Sequence, residues 1–264
     1  MELLRTPWKT RLLDLVKQAK QSVKITSPYV KANICQEIIE AKSNDTKLEL
    51  ITSFQLPRIY NGSLDLAGVE HILENDGVVK NYSRLHSKIY IFDDVKAIVT
   101  SSNLTNGGLI TNFEYGVLIE EINLVRKIVD DFINLSSQEK TGMINREIVN
   151  EARKILSKIP KIASPKFPEL VIETPEFSGD TLLDSVEAIQ SSLKSWKLDI
   201  FNCLNVLPNQ VIKLSEIYVF EDKLQRMHPE NQNIRAKIRQ QLQYLRDLGL
   251  LEFMSDGQYR KLWS

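Results

Sequence analysis

The sequence predicts an α/β domain followed by a smaller, mainly helical domain. Over residues 1–160, segments with apolar residues at helical spacing alternate with short segments rich in β-branched and apolar residues. Prolines at positions 160, 165, 168 and 175 then interrupt regular structure. From residue 196 the pattern changes to three helical segments and a terminal pair of strands. We therefore expect two domains that are joined by a proline-containing linker.

In the first domain, helices and strands follow each other in the order that favours an α/β/α sandwich. Strands are predicted at 22–27, 47–54, 77–82, 88–94, 96–101 and 113–120. Helices are predicted at 8–21, 34–42, 65–76 and 122–135, and the polar residues 136–160 are also expected to be helical. Asp93 and Asp94 lie between two of the strands and predict a hairpin turn.

The C-terminal part predicts a winged helix-turn-helix. Three helical segments, at 197–207, 213–227 and 231–250, precede two strands that flank Asp256-Gly257, a turn sequence. A further helix at 181–196 is compatible with either domain. The expected boundaries are 1–160 for the first domain, 161–180 for the linker and 181–264 for the second domain.

The composition is that of a globular protein without a membrane segment. The 264 residues are 42% hydrophobic and 26% charged, with a net charge of +0, which argues against non-specific coating of nucleic acid. No apolar run is long enough for a membrane span, and the charged N-terminus lacks the pattern of a signal peptide. Cys35 and Cys203 have no metal-binding or redox spacing. A cytoplasmic protein with buried cysteines is expected.

The most informative stretch for function is residues 84–94, RLHSKIYIFDD. His86 and Lys88 are two residues apart at the start of a predicted strand, so both side chains should project from the same face. A single histidine at a strand end is often structural. Here, however, Asp93, the TSSN sequence at 100–103 and the NFE sequence at 112–114 follow in order.

This pattern resembles the phospholipase D superfamily. Its signature is H-x-K, four residues, D, six residues, a small residue and S-x-N, and the spacing from His86 to Asn103 fits throughout. Thr100 stands where the family usually has glycine, and Asn112-Phe113-Glu114 is similar to the family's N-x-E.

Cleavage of a phosphodiester without a metal needs a nucleophile, an acid for the leaving oxygen and cations for the phosphoryl oxygens. The resemblance implies His86 as a nucleophile that forms a phosphohistidine. Lys88 would hold phosphate oxygens, while Ser101 and Asn103 donate hydrogen bonds. Glu114 would accept a hydrogen bond from His86 and fix its tautomer.

Asp93 is expected to have a structural role. It lies about 17 Å along the strand from Lys88 by rise alone, at the predicted turn. We interpret it as a cap for that turn and not as a proton carrier.

The family's site uses two H-x-K motifs, but this chain has one. His71 lies in a predicted helix, His228 precedes a proline, and neither is followed by lysine two residues later. The resemblance therefore implies a homodimer in which two copies of His86 face each other across a two-fold axis.

No metal or cofactor is expected. The carboxylate pairs Asp93-Asp94 and Glu120-Glu121 are adjacent residues, so the two side chains of each pair would point to opposite faces of the strand.

The third helix of the second domain has one apolar and one polar face. Its apolar stripe contains Ile234, Ile238, Leu242, Leu245 and Leu248. Arginine and glutamine can contact base edges in the major groove, although a solvated polar face is an equally good explanation. The predicted contacts with double-stranded DNA are Arg235, Lys237, Arg239, Gln240, Gln241 and Gln243 of the helix and Tyr259 and Arg260 of the hairpin.

This segment also resembles the C-terminal winged helix of Dam-replacing, methyl-directed restriction endonucleases. The matching residues are DIFNCLN at 199–205, residues 214–253 and GQYR at 257–260. The resemblance implies sequence-specific reading of duplex DNA, but it identifies neither the sequence nor its methylation.

Together the two halves predict a type II-like restriction endonuclease that cleaves DNA without a metal. Three alternatives are a nuclease of low specificity in DNA processing, a lipid-directed phospholipase and a non-enzymatic DNA-binding regulator. The DNA-reading segment argues against the phospholipase. The complete set of His86, Lys88, Asn103 and Glu114 argues against the regulator.

Overall fold

The first domain is built on one eight-stranded sheet. A computed structural model describes residues 1–160, 186–254 and 257–263, so the predicted linker at 161–180 lies outside the described residues. The strands of the sheet are β1 (Glu2–Arg5), β2 (Ser22–Thr26), β3 (Lys47–Thr52), β4 (Val78–Asn81), β5 (Ile89–Phe92), β6 (Lys96–Thr100), β7 (Tyr115–Ile119) and β8 (Gly142–Ile144). Their spatial order is β1-β7-β6-β5-β2-β3-β4-β8.

The sheet is mixed, and its antiparallel part contains the hairpin that the sequence predicts. Strands β2, β3 and β4 are parallel, whereas β5, β6 and β7 form an antiparallel meander. Asp93 and Asp94 form the β5–β6 turn with φ values of 52° and 57°. This left-handed conformation suits a tight hairpin, and aspartate adopts it more readily than most residues do.

Helices cover both faces of the sheet. They are α1 (Lys9–Gln18), α2 (Ala32–Ala41), α3 (Leu56–Tyr60), α4 (Leu66–Glu74), α5 (Ile122–Ser137) and α6 (Arg146–Leu156), with a π-helical turn at Gly107–Thr111. Helix α5 packs on one face against Ile91, Ala97 and Ile119. The larger core on the other face contains Tyr90 and the buried sides of α1, α2, α4 and α6. The predicted α/β/α sandwich is confirmed.

The C-terminal domain is helical with a small antiparallel sheet, and the predicted helix-turn-helix class is confirmed. Its elements are α7 (Val186–Ser192), α8 (Trp196–Val206), β9 (Val211–Lys213), α9 (Leu214–Tyr218), α10 (Glu221–Met227), α11 (Ile234–Asp247), β10 (Leu251–Phe253) and β11 (Gln258–Lys261). Strand β11 pairs with both β10 and β9. Residues 255 and 256, which include the turn residue Asp256, lie outside the described residues.

Several boundaries differ from the prediction. The single helix expected at 213–227 is two short helices, and residues 136–160 contain the edge strand β8 before α6. Strand β1 was not predicted because only four charged and apolar residues form it, and its pairing with β7 is its main support. Among the described residues, no helix is both long enough and apolar enough to cross a membrane.

Candidate active site

The His86 loop, residues 82–88, joins β4 to β5 and is held by buried hydrogen bonds. The carbonyl oxygen of Ser83 accepts from Ser53 Oγ at 2.7 Å and from Gln55 Nε2 at 3.1 Å. Leu85 is buried in the core beneath α5. These contacts anchor the loop at Ser83 and Leu85, directly before His86 and the start of β5.

His86 and Lys88 are in direct contact. Strand β5 begins only at Ile89, so both residues lie in the extended segment before the strand and not within it. Lys88 is 6% exposed, and its Nζ lies 3.4 Å from both ring nitrogens of His86. The same Nζ donates to the His86 carbonyl oxygen at 2.9 Å, and Thr100 N donates to the Lys88 carbonyl oxygen. The motif thus places a cation beside the imidazole.

A pocket of about 420 Å³ opens over these groups. Lys88 and His86 line it together with Ser101 and Glu114 from the ends of β6 and β7. The rest of its lining is Ser87, Ile89, Val99 and Thr100. Four of the five predicted catalytic residues therefore share one small pocket.

The fifth, Asn103, lies in the buried segment that follows β6 and is 1% exposed. The neighbouring Ser102 is anchored, because its Oγ accepts from Trp8 Nε1 at 3.0 Å and its carbonyl oxygen accepts from Tyr90 Oη at 3.2 Å. Gly108 lies against Asn103, and a Cβ there would come within 2.4 Å of the Asn103 carbonyl oxygen. Close backbone packing thus determines where Asn103 lies.

Glu114 differs from the prediction in its partner. Its Oε2 accepts from Ser101 Oγ, and within the part of the chain that the structure describes no hydrogen bond joins it to His86. The reason is strand pairing, since Ser101 N donates to the Tyr115 carbonyl oxygen and thereby places Ser101 next to Glu114. The carboxylate remains in the same pocket as His86.

Thr100, which replaces the family's usual glycine, is integrated into this strand end. It pairs with Gly116 on β7, where a Cβ would come within 2.8 Å of the Thr100 side chain. Its Oγ1 donates to the Tyr115 carbonyl oxygen at 2.7 Å and accepts from Ser102 N at 3.1 Å. A glycine on one strand therefore accommodates the threonine on the other.

Asp93 is remote from the pocket and ties the hairpin to the start of β2. Its carboxylate accepts from the backbone N–H groups of Lys20, Gln21 and Ser22 at 2.7–3.1 Å. Burial alone would raise the pKa of Asp93, but these three donors favour the ionised form, and the resulting pKa is lowered.

The predicted DNA-reading helix is α11. Arg235, Arg239, Gln240 and Gln243 are exposed on it, and Lys237 is half-buried. Arg239 Nη1 donates to Tyr218 Oη, and Arg235 pairs with Glu221, both at 2.8 Å. The exposed residues thus form one polar face.

Two residues that were predicted to contact DNA, Gln241 of the helix and Tyr259 of the hairpin, are buried. Gln241 is 7% exposed, because it continues the buried stripe between Ile238 and Leu245 at spacings of three and four residues. Tyr259 is 4% exposed and packs edge-to-face on Phe253. Burial raises the pKa of Tyr259 to about 12. Arg260, on the same strand, is half-buried and pairs with Glu252 at 3.5 Å.

Comparison with known families agrees with both halves of this architecture. Residues 12–136 match the family model described as "Cardiolipin synthase, PLD-like domain". Residues 192–261 match the model described as "Dam-replacing HTH domain". The chain contains a phospholipase D-like domain followed by a Dam-replacing helix-turn-helix domain.

Individual proteins match shorter or more distant stretches of the chain. The DISARM protein DrmC of Bacillus paralicheniformis is 33% identical over 63 residues, or 23% of this chain, and the chain spans 26% of that relative's length. Two solved structures are also similar. The phospholipase D family member Nuc from Salmonella typhimurium has a TM-score of 0.44 and 18% identity, covering 50% of this chain and 91% of Nuc. NucT from Helicobacter pylori has a TM-score of 0.45 and 17% identity, covering 54% of this chain and 98% of NucT.

In the phospholipase D-like domain, the pocket brings together groups that can take part in phosphoryl transfer. The His86 ring offers a nucleophilic nitrogen, the Lys88 ammonium offers positive charge, and the hydroxyl of Ser101 lies next to the carboxylate of Glu114. Gly108 is a residue that sequence reasoning missed. The signal that could have revealed it is the Gly107-Gly108 pair that follows the TSSN sequence.

Proposed function

We propose that the protein is a type II-like restriction endonuclease that hydrolyses DNA phosphodiesters without a metal ion. The observation that carries this proposal is the contact between Lys88 Nζ and the His86 ring, in a pocket shared with Glu114. The site recognises only phosphate, so it carries no sequence information. The helix-turn-helix domain supplies that information in the same chain.

The proposed reaction has two steps. A neutral ring nitrogen of His86 attacks phosphorus, so that a P–N bond forms and the P–O bond to the leaving oxygen breaks. The leaving oxygen takes a proton from a second, protonated histidine. Water then gives a proton to the second histidine, which is neutral after the first step, and its oxygen attacks the phosphohistidine, so that a new P–O bond forms, the P–N bond breaks and His86 is regenerated. Lys88 compensates the negative charge on the phosphoryl oxygens in both steps.

The second histidine is His86 of the partner subunit in a homodimer. An apolar row on the sheet supports this assembly, because Leu3, Val117, Val99 and Ile89 are cross-strand neighbours on β1, β7, β6 and β5. Leu3 is 64% exposed and Val99 is 42% exposed, and the row lies beside the part of the sheet that α5 covers. Ile89 and Val99 also line the pocket, so a second copy on this row would bring two pockets together.

DNA would be read by the exposed face of α11. Gln240, Gln243 and Arg239 are suited to contacts with base edges, while Arg235 and Lys237 near the start of the helix are suited to phosphates. Arg260 on β11 would contact the backbone from the hairpin, which acts as the wing. Gln241 and Tyr259 are left out because they are buried.

The deciding experiment is cleavage of methylated and unmethylated plasmid DNA in the presence of EDTA. Discrete fragments are expected, and the preferred plasmid would reveal whether methylation is read. The His86→Ala variant should bind DNA but leave it intact, whereas His71→Ala, which alters a histidine of α4 away from the pocket, should cleave normally.

Other outcomes would replace the proposal. A smear of products would indicate a nuclease of low specificity, and cleavage by His86→Ala would exclude His86 as the nucleophile. If both plasmids stayed intact, binding to operator-like DNA without cleavage would identify a regulator.

A further inference from the structure

The helix-turn-helix domain contacts the phospholipase D-like domain at the base of the His86 loop. Residues 246–252, which comprise the end of α11, the connection to β10 and the start of β10, contact Asn81 at the end of β4 and Leu56 at the start of α3. Strand β4 ends at Asn81, and the loop that carries His86 follows it directly. The C-terminal domain thus contacts the catalytic loop where that loop begins.

Two buried contacts fix this junction. Asn81 is 1% exposed, and its Oδ1 accepts from Phe54 N at 2.9 Å while its Nδ2 donates to the Arg246 carbonyl oxygen at 3.3 Å. Leu56 N donates to the Gly249 carbonyl oxygen at 3.3 Å. A Cβ on Gly249 would lie 2.8 Å from the Cα of Gln55, so only glycine allows this close approach.

A third contact reaches the loop itself. The Glu252 carboxylate on β10 lies 3.6 Å from Arg84 Nε, and Arg84 is two residues before His86. The Glu252 side chain is only 9% exposed, whereas that of Arg84 is 57% exposed. Gln55, which packs on Gly249, donates to the Ser83 carbonyl oxygen in the same loop.

We propose that the helix-turn-helix domain is a structural part of the phosphodiesterase site, with Glu252 and Arg84 as positioning residues for His86. This inference rests on the proposed function. The residues act through the loop and do not touch the phosphate. Because Gln243 on the exposed face of α11 lies within one turn of Arg246, DNA that binds there would also contact the helix whose end supports the loop.

The test uses bis(p-nitrophenyl) phosphate, a substrate too small to need the DNA-reading helix. Glu252→Gln, which keeps the side-chain size but removes the charge, should lower kcat by about tenfold through misplacement of His86. Its KM should stay near the wild-type value. Arg84→Ala should have the same effect, and Arg84→Lys should restore part of the activity.

A variant that carries both substitutions shows whether Glu252 and Arg84 act through one shared contact or affect kcat independently. If Glu252 and Arg84 act through each other, combining Glu252→Gln with Arg84→Ala should lower kcat no further than the stronger single change. The control is Glu221→Gln, which breaks an ion pair with Arg235 inside the C-terminal domain. An unchanged kcat in Glu252→Gln, or additive effects in the double variant, would overturn the proposal.

A second readout does not depend on catalysis and separates this inference from the proposed function. The chain has three histidines, so carbon–proton NMR of the imidazole rings gives three signals, and the His86→Ala variant identifies one of them. Glu252→Gln should shift the His86 signal and leave those of His71 and His228 in place. If the wild-type protein were inactive on every phosphodiester, the proposed function would fail, and this shift would still support the positioning role. An unmoved His86 signal would reject it.

Discussion

Lys88 Nζ lies 3.4 Å from both ring nitrogens of His86 and donates to the His86 carbonyl oxygen at 2.9 Å. The bond to the backbone fixes the ammonium beside the imidazole, and the surrounding protein leaves only 6% of Lys88 exposed. A cation in such a sheltered position interacts more strongly with a phosphoryl group than it would in water. In the proposed reaction the pair would combine a nucleophile with charge stabilisation at one point.

Replacing Lys88 by methionine should remove the charge while keeping a side chain of similar length. We expect kcat for phosphodiester cleavage to fall by about 10²–10³-fold, the usual effect of losing one stabilising group. Steady-state kinetics and a thermal melt should be measured together. The control is Lys96→Met at the far end of β6, where Lys96 pairs with Glu120 at 2.7 Å. Equal activity of the two variants would contradict the role of Lys88.

Gly108→Ala should damage the site without altering any residue of the pocket. The added Cβ would come within 2.4–2.6 Å of the backbone of Asn103, so that segment must move. Because misplacement of a catalytic group by about 1 Å can cost 10²-fold, we expect a loss in kcat that approaches that of Asn103→Ala. Kinetics of the two variants and a crystal structure of Gly108→Ala would check this. A variant with normal kcat would show that Asn103 is not needed where it lies.

Asp93 should affect stability and not catalysis. Its pKa is lowered in the folded protein, so its stabilising effect is present above the ordinary pKa of 3.8 and is lost as the pH falls through the lower, folded-state value. Asp93→Asn tolerates the left-handed backbone but removes the charge. At pH 7 we expect it to reduce the free energy of unfolding by about 2 kcal/mol.

Urea denaturation of wild type and Asp93→Asn from pH 7 down to pH 2 would test this expectation. The difference in stability should shrink towards the acidic end, and kcat at pH 7 should stay unchanged. A constant difference across this range would show that the carboxylate charge is not the source of the effect.

The site and the fold were predictable from sequence to different degrees. One pocket contains His86, Lys88, Ser101 and Glu114, because their motifs lie at the ends of adjacent strands. The spacing of the motifs and the alternation of side chains along a strand make this arrangement predictable. Strands β1 and β8 escaped prediction because each has three or four residues and depends on a distant partner.

Contacts between elements that are far apart in sequence were the least predictable. A proline-rich segment suggests a tether, yet Asn81 and Arg246 are joined by a buried hydrogen bond across 165 positions. Gln241 looked like part of a polar face because its side chain is polar, although its spacing from Ile238 and Leu245 is that of the core. The sequence identified the polar side chains of the helix, but the packed structure was needed to show which of them are exposed.

Val99→Asp should separate the proposed dimer. A carboxylate in the apolar row would have to be buried unpaired between two copies, which costs several kcal/mol. We expect a monomer by light scattering and loss of phosphodiesterase activity, because each pocket would lack its second histidine. Val95→Asp is the matched control, since Val95 is 49% exposed in the hairpin turn at the other end of β6. A Val99→Asp variant that stays dimeric would place the interface elsewhere.

Adjacent glutamines on α11 should behave in opposite ways. Gln240 is exposed, so Gln240→Ala combined with Arg239→Ala should weaken binding to the recognised sequence by about 1–3 kcal/mol, the range for one base contact. Cleavage of non-specific DNA should change less.

Gln241 is 7% exposed, so Gln241→Ala should lower thermal stability and leave the sequence preference intact. Binding titrations on specific and random duplexes, at one salt concentration, would measure both effects. Equal loss on the two duplexes in the Arg239/Gln240 variant would move base reading away from this face of α11.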